Sequence, residues 1–225
     1  RVIKIIEKMN DIFKYDTGYE YLKFIRPQKT SALFLENIEV AESLTSFYEE
    51  IEDLPKAKKW AKTTKELLEK IKLSENSVGG EIECACFNLP VGLGSPFFDS
   101  LESKISHLAF SVPAIKGISF GIGFNFANIL GSEANDLYYL DNNEIKTKTN
   151  NNGGILGGLS TGMPLVFSVV VKPTSSISLE QKTVNIKEMK EDILKINGRH
   201  DACIVPRVLP VIEAIMALAI FDEII

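Results

Sequence analysis

The pattern of apolar positions in this 225-residue chain changes character near residue 77. Upstream, Val2, Ile5, Ile6, Met9, Ile12 and Phe13 recur at helical spacing until Gly18 breaks the run. Residues 1–54 therefore read as a helix, a short strand or loop, and an acidic helix over Glu36–Asp53 that stops before Pro55. Lys56–Lys72 follows as a basic amphipathic helix, with Trp60, Leu67, Leu68 and Ile71 on its buried side. Downstream, Gly79-Gly80 leads into Glu81–Phe87, which alternates polar and apolar residues as a strand does. Asn88–Pro96 is a long turn, Phe98–Phe110 a helix closed by Pro113, and Lys116–Phe120 a short strand. Residues 121–152 are polar, lack a period and contain Asn142-Asn143, which predicts a surface loop or hairpin covering a site. Leu165–Val171 is a continuous apolar, β-branched strand, Gly198–Arg207 a loop, and Pro210–Ile225 the final helix. The class that follows is α+β.

Composition narrows the picture. The chain is 45% hydrophobic and 24% charged, ordinary for a globular protein with one sizeable core or two small ones. Residues 1–75 are balanced in charge, so the net charge of −5 falls on the remainder. Such a balance does not advertise nucleic acid, and an anionic ligand must rely on a few placed cations. Three cysteines make no disulfide framework, and Cys84 and Cys86 share one face of their strand; a reducing compartment, the cytoplasm, is expected. His107 and His200 are the only histidines, too few and too far apart for a metal site. The charged, helical first residues are not expected to act as a secretion signal. Val205–Ile225, interrupted by Pro206, Arg207, Pro210 and Glu213, reads as a buried helix and not as a membrane span.

Candidate chemistry gathers in three segments. Asn150-Asn151-Asn152-Gly153-Gly154-Ile155-Leu156-Gly157-Gly158 combines amide donors and acceptors with glycines that let a ligand approach backbone N–H groups. Lys172-Pro173-Thr174-Ser175-Ser176 sets a cation beside three hydroxyls, suited to a phosphorylated ligand. Gly198-Arg199-His200-Asp201 offers a guanidinium, an imidazole and a carboxylate. Arg199 and Asp201 form either a charged pair at a reacting edge or a structural ion pair, and Asp201 can equally favour the start of the following helix. A Cys–His hydrolase site finds no nucleophile motif beside His200. Lys116, Arg207 and Glu213 are further ion-pair candidates.

These segments, together with Ser77-Val78-Gly79-Gly80, Leu89-Pro90-Val91-Gly92-Leu93-Gly94 and Val112-Pro113-Ala114-Ile115-Lys116-Gly117, occur in the order seen in chorismate synthases. Residues 55–225 resemble the C-terminal half of that family, leaving 1–54 as an unmatched helical segment. The resemblance implies helices packed with antiparallel sheets in a sandwich. It also implies a lyase of the shikimate pathway, which converts 5-enolpyruvylshikimate 3-phosphate to chorismate and phosphate by 1,4-anti elimination. The family uses reduced FMN, thought to lend an electron as phosphate leaves and to accept the ring proton. The resemblance further implies NADPH as reductant and a homotetrameric assembly. Pro113, Ala114, Gly157, Lys172, Pro173, Thr174, Ser175, Ser176 and Arg199 match cofactor-binding positions. Arg199 also matches a position close to the substrate, and Asp201 matches the acid that exchanges a proton with the flavin. The Gly-x-Ser-His-Gly loop, the arginine-rich segments and both proton-transfer histidines of the family's first half have no counterpart, and Ala202 replaces the usual proline. The chain thus looks incomplete and inactive alone; the alternative is a non-catalytic flavin- or phosphate-binding fragment, or an oligomerisation element.

Overall fold

The computed structural model describes residues 65, 66 and 68–225. The expected helices of residues 1–54, and most of the one over Lys56–Lys72, lie outside them. The core is built on a three-stranded antiparallel sheet of order β1-β7-β2. Its strands are β1 (Gly80–Cys86), β2 (Ile115–Phe120) and the central β7 (Leu165–Val171). Pairing sets Ile82 beside Val169 and Cys84 beside Phe167, and on the other side Ile118 beside Val169 and Phe120 beside Phe167. Side chains alternate across a strand, so Leu165, Phe167, Val169 and Val171 share one face, and all four are buried.

Two helices cover that face. α1 (Leu101–Ser111) turns Leu101, Ile105 and Ala109 inward at intervals of four, and α3 (Val205–Ile224) buries Val208, Ile212, Ile215, Met216, Ala219 and Ile220. α1 begins later than its apolar pattern suggests, because Phe97–Asp99 forms a 3-10 turn and Ser100 caps the helix by accepting the Ser103 N–H at 3.1 Å. α3 begins earlier, at Val205, and absorbs the end of the expected loop. Pro206 fits its first turn, where an N–H has no partner within the helix.

Three hairpins decorate this frame. β3 (Tyr138–Asp141) and β4 (Glu144–Thr147) are joined by Asn142 and Asn143, both left-handed at φ 47° and 73°, so the expected hairpin is present. A four-residue helix, α2 (Gly131–Ala134), precedes it. β5 (Ile155–Leu156) and β6 (Leu159–Ser160) turn through Gly157-Gly158. β8 (Gln181–Asn185) and β9 (Lys190–Leu194) form an exposed hairpin that no sequence pattern announced. No helix among the described residues is long and apolar enough to cross a membrane.

Candidate functional site

Four segments meet where β7 ends. The Lys172 N–H donates to the Ala114 carbonyl at 2.8 Å, tying the segment that follows β7 to the turn before β2. Ala114 holds φ 77°, a left-handed conformation that costs an alanine about 1–2 kcal/mol and that persists where the surroundings enforce it. The Ser77 hydroxyl donates to the Thr174 carbonyl at 2.6 Å. Gly79 lets the chain pass this point, because a Cβ there would lie 2.2 Å from the Val171 carbonyl and 3.0 Å from the Pro173 ring. Ser176 Oγ meets His200 Nδ1 at 3.0 Å, which brings in the loop carrying Arg199 and Asp201. The Val78 N–H donates to the Ala202 carbonyl at 2.8 Å and fastens the same loop to the start of β1.

The polar groups at this end suit an anion. Lys172 Nζ donates to Ser175 Oγ. The Thr174 hydroxyl is buried without a hydrogen-bond partner among the described residues. Such an orphan is costly unless a ligand or water completes it. Arg199 is exposed, and no ion pair with another described residue engages it. The expected pairing of Arg199 with Asp201 is replaced by another: Arg207 Nη1 donates to Asp201 Oδ2 at 2.8 Å. Arg207 stands in the first turn of α3, where it can reach back to the loop.

Gly157 is not brought to this end. Gly154 packs against the Pro164 carbonyl at the opposite end of β7, and the Gly158 carbonyl accepts the Leu101 N–H at 3.1 Å at the start of α1. The seven residues of β7 separate the two ends by roughly 20 Å at ~3.3 Å per residue. The glycine loop also divides in its duties. A Cβ on Gly153 would lie 2.4 Å from the Gly121 nitrogen, one on Gly154 2.3 Å from the Pro164 carbonyl, and one on Gly158 2.4 Å from the Ser95 carbonyl. Those three glycines are demanded by the protein's own backbone. Gly157 alone of the four faces open space.

The asparagines before them are engaged by the fold itself. Asn150 Nδ2 donates to the Pro164 carbonyl at 2.7 Å, and Asn151 Nδ2 to the carbonyls of Glu133 and Ala134. Asp136 organises the rest, and sequence reasoning missed it. Its Oδ1 accepts the Thr149 hydroxyl at 2.6 Å and the Asn151 N–H at 2.7 Å. Its Oδ2 accepts the Asn152 N–H at 3.0 Å and Asn152 Nδ2 at 2.8 Å. Desolvation works to raise its pKa, but the four donors together outweigh it and hold the carboxyl below the ordinary carboxylate value. Asp136, Tyr138, Asn152, Gly154, Leu156 and Thr161 line an open cavity of about 290 Å³ here. The β3–β4 hairpin therefore stands over the glycine loop and not over the Lys172 end.

Burial pushes the Cys84 thiol up to about 12, with smaller help from Cys86, Glu213 and Glu83, and pushes Cys86 up to about 11. Neither is held in a disulfide among the described residues. No group of three or more histidine, cysteine or acidic side chains among the described residues can hold a metal ion.

A small α+β unit with a hydroxyl- and cation-rich end is thus defined, and comparison with known proteins places it. The family model for chorismate synthase matches residues 25–225. Chorismate synthase of Thermococcus gammatolerans is 48% identical over 160 residues, covering 71% of this chain and 45% of that protein. Those of Methanococcus aeolicus and Dehalococcoides mccartyi are 53% and 51% identical, covering 66% and 65% of this chain and 40% of each relative. A crystal structure of chorismate synthase superposes with a TM-score of 0.62 at 25% identity, over 90% of this chain and 55% of that one. The chain belongs to the chorismate synthase family. It spans less than half the length of these curated relatives.

Proposed function

We propose that this chain carries the flavin-binding part of a chorismate synthase. The lyase of which it is part converts 5-enolpyruvylshikimate 3-phosphate to chorismate and phosphate by 1,4-anti elimination. The observation that carries the reading is the convergence of Pro113-Ala114, Lys172–Ser176 and Arg199–Asp201 at one end of the sheet. Lys172, Arg199, the orphaned Thr174 hydroxyl and the Ser175 hydroxyl match the acceptor-rich, anionic groups of FMN or of a phosphorylated substrate, and Ser176 Oγ offers an acceptor to the flavin. Pro113, Ala114 and Pro173 shape the backbone beside them, whereas Gly157, at the opposite end of β7, keeps an unobstructed backbone that this cluster does not reach.

In the net reaction a C–O bond to phosphate and a ring C–H bond break while a new double bond forms, with no net redox change. Reduced FMN, when bound, supplies the electron that eases phosphate departure and a nitrogen for the ring proton. Arg199 stabilises the charge of the phosphorylated substrate. Asp201, oriented by Arg207, passes a proton at its carboxylate oxygen. NADPH as reductant, a homotetramer and a cytoplasmic setting complete this proposal, each supported by the family alone.

The length of chain matched favours one companion reading: these residues by themselves hold the flavin without turning over. Two measurements test the pair. A polypeptide carrying this sequence at the family's full length is expected to release phosphate from the enolpyruvyl substrate with reduced FMN under anaerobic conditions. No release contradicts the lyase assignment. The 225-residue chain is expected to bind FMN and release no phosphate, and turnover by it alone rejects the companion reading.

A further inference from the structure

His200 sits between two of the segments assigned above to the flavin, with both ring nitrogens engaged. Nδ1 lies 3.0 Å from Ser176 Oγ, and Nε2 lies 3.2 Å from the Ile196 carbonyl. A carbonyl only accepts, so Nε2 carries the proton and donates. In the neutral ring Nδ1 is then an acceptor, and the Ser176 hydroxyl must donate to it. The imidazole is thereby fixed in one tautomer and one orientation. It fastens Ser176, the last residue of Lys172–Ser176, to the loop carrying Arg199 and Asp201. Between Ser176 and His200 the chain runs out through the exposed β8–β9 hairpin, which gives these two segments no support from the core.

We infer that His200 is a positioning residue, whose bond to Ser176 sets the spacing between the Lys172–Ser176 segment and Arg199. It touches neither flavin nor substrate in this role. A bonus of the geometry is that Ser176, with its proton directed at Nδ1, turns its oxygen lone pairs toward the remaining space and is specified as an acceptor there. The inference rests on the flavin reading only for what the spacing serves; the clamp itself stands on the two hydrogen bonds.

Two substitutions separate the halves of the clamp. In His200→Asn the Oδ1 falls where Nδ1 stood and still accepts from Ser176. In His200→Gln the amide reaches the Ile196 carbonyl and leaves Ser176 unpaired. Loss of one such bond corresponds to roughly a fivefold change in an equilibrium constant. FMN titrated by fluorescence quenching onto the 225-residue chain should bind about fivefold more weakly to His200→Gln and within about twofold of wild type to His200→Asn. Ser176→Ala combined with His200→Gln should be no weaker than Ser176→Ala alone, because the two share one interaction. Equal affinity of His200→Gln and wild type, or additive losses in the double variant, overturns the inference.

A ligand-free measurement keeps the clamp distinct from the flavin reading. Hydrogen exchange over residues 173–177 and 199–202 should quicken in His200→Gln and not in His200→Asn, with β7 unchanged as a sign of an intact fold. If wild type binds no FMN, the flavin reading fails while these exchange rates still decide the clamp. Unchanged exchange in His200→Gln rejects it.

Discussion

Replacing Asp136 by asparagine is the sharpest perturbation of the fold at the glycine loop. The side chain keeps its shape, but one acceptor oxygen becomes an NH2 group. Four donors converge on the native carboxylate, two on each oxygen. Whichever way the amide turns, two donors face another donor and lose their partner. Hydrogen bonds to a charged group contribute about 1.5–3 kcal/mol each, and the half-exposed setting argues for the lower end, giving a loss of about 3 kcal/mol. For a chain of this size each kcal/mol moves Tm by about 2–4 °C, so Asp136→Asn should melt roughly 6–12 °C lower. Calorimetry reads the total, and hydrogen exchange at residues 150–154 should show that the loop opens first. The same carboxylate gives a pH dependence. Its folded pKa lies below the unfolded value, so its stabilisation is fully present above the ordinary carboxylate range and is lost as pH falls through the lower, folded value. The variant should lack that acid-side decline. A Tm change under about 2 °C, or an unaltered acid limb, would refute the reasoning.

Further predictions follow from the same geometry. Gly153→Ala should destabilise by several kcal/mol, since its Cβ meets backbone at 2.4–2.5 Å, whereas Gly157→Ala should cost only about 1–2 kcal/mol for its left-handed φ; denaturant melts compare them. Ala114→Gly should stabilise the fold by up to about 1 kcal/mol by relieving φ 77°, while Ala114→Val should destabilise it, and a melt in which glycine is the worse residue counts against strain at that turn. Phe167→Ala, in the centre of the sheet at 0% exposure, should cost about 3–5 kcal/mol by chemical denaturation. Cys84 and Cys86 should resist thiol reagents at pH 8 until the chain unfolds. Because their folded pKa values are raised above the unfolded value of 9.0, stability should be fully present below pH 9 and fall as pH rises toward about 11–12.

The strands and helices of the core were legible because burial on one face leaves a period. Glu81–Phe87 and Leu165–Val171 alternate or run apolar, and β1 and β7 lie there. The β8–β9 hairpin escaped because it is exposed on both faces and has no apolar alternation to read. α3 starts at Val205 because Pro206 falls in its first turn, where a helix tolerates proline, and it continues through an internal Pro210. At the site, the residue types of Lys172–Ser176 pointed to a polar, cationic segment, but their partners lie far along the chain. Ser77 is 97 residues from Thr174, and Asp136 is 13–16 residues from the donors it gathers across a stretch without period. The three asparagines suggested ligand contacts, yet their amides answer backbone carbonyls and Asp136. Adjacency likewise suggested Arg199 for Asp201, when the first turn of α3 brings Arg207 closer.

In the proposed function, the end of β7 holds an anionic flavin through Lys172 and the loops around it. Titration of FMN onto the 225-residue chain, followed by flavin fluorescence, tests it most directly when paired with Lys172→Ala. Removing the ammonium at an anion contact is worth about 1.5–3 kcal/mol, so the variant should bind roughly 10- to 100-fold more weakly while melting near wild type. Equal affinity of Lys172→Ala and wild type, or no binding by either, contradicts the claim.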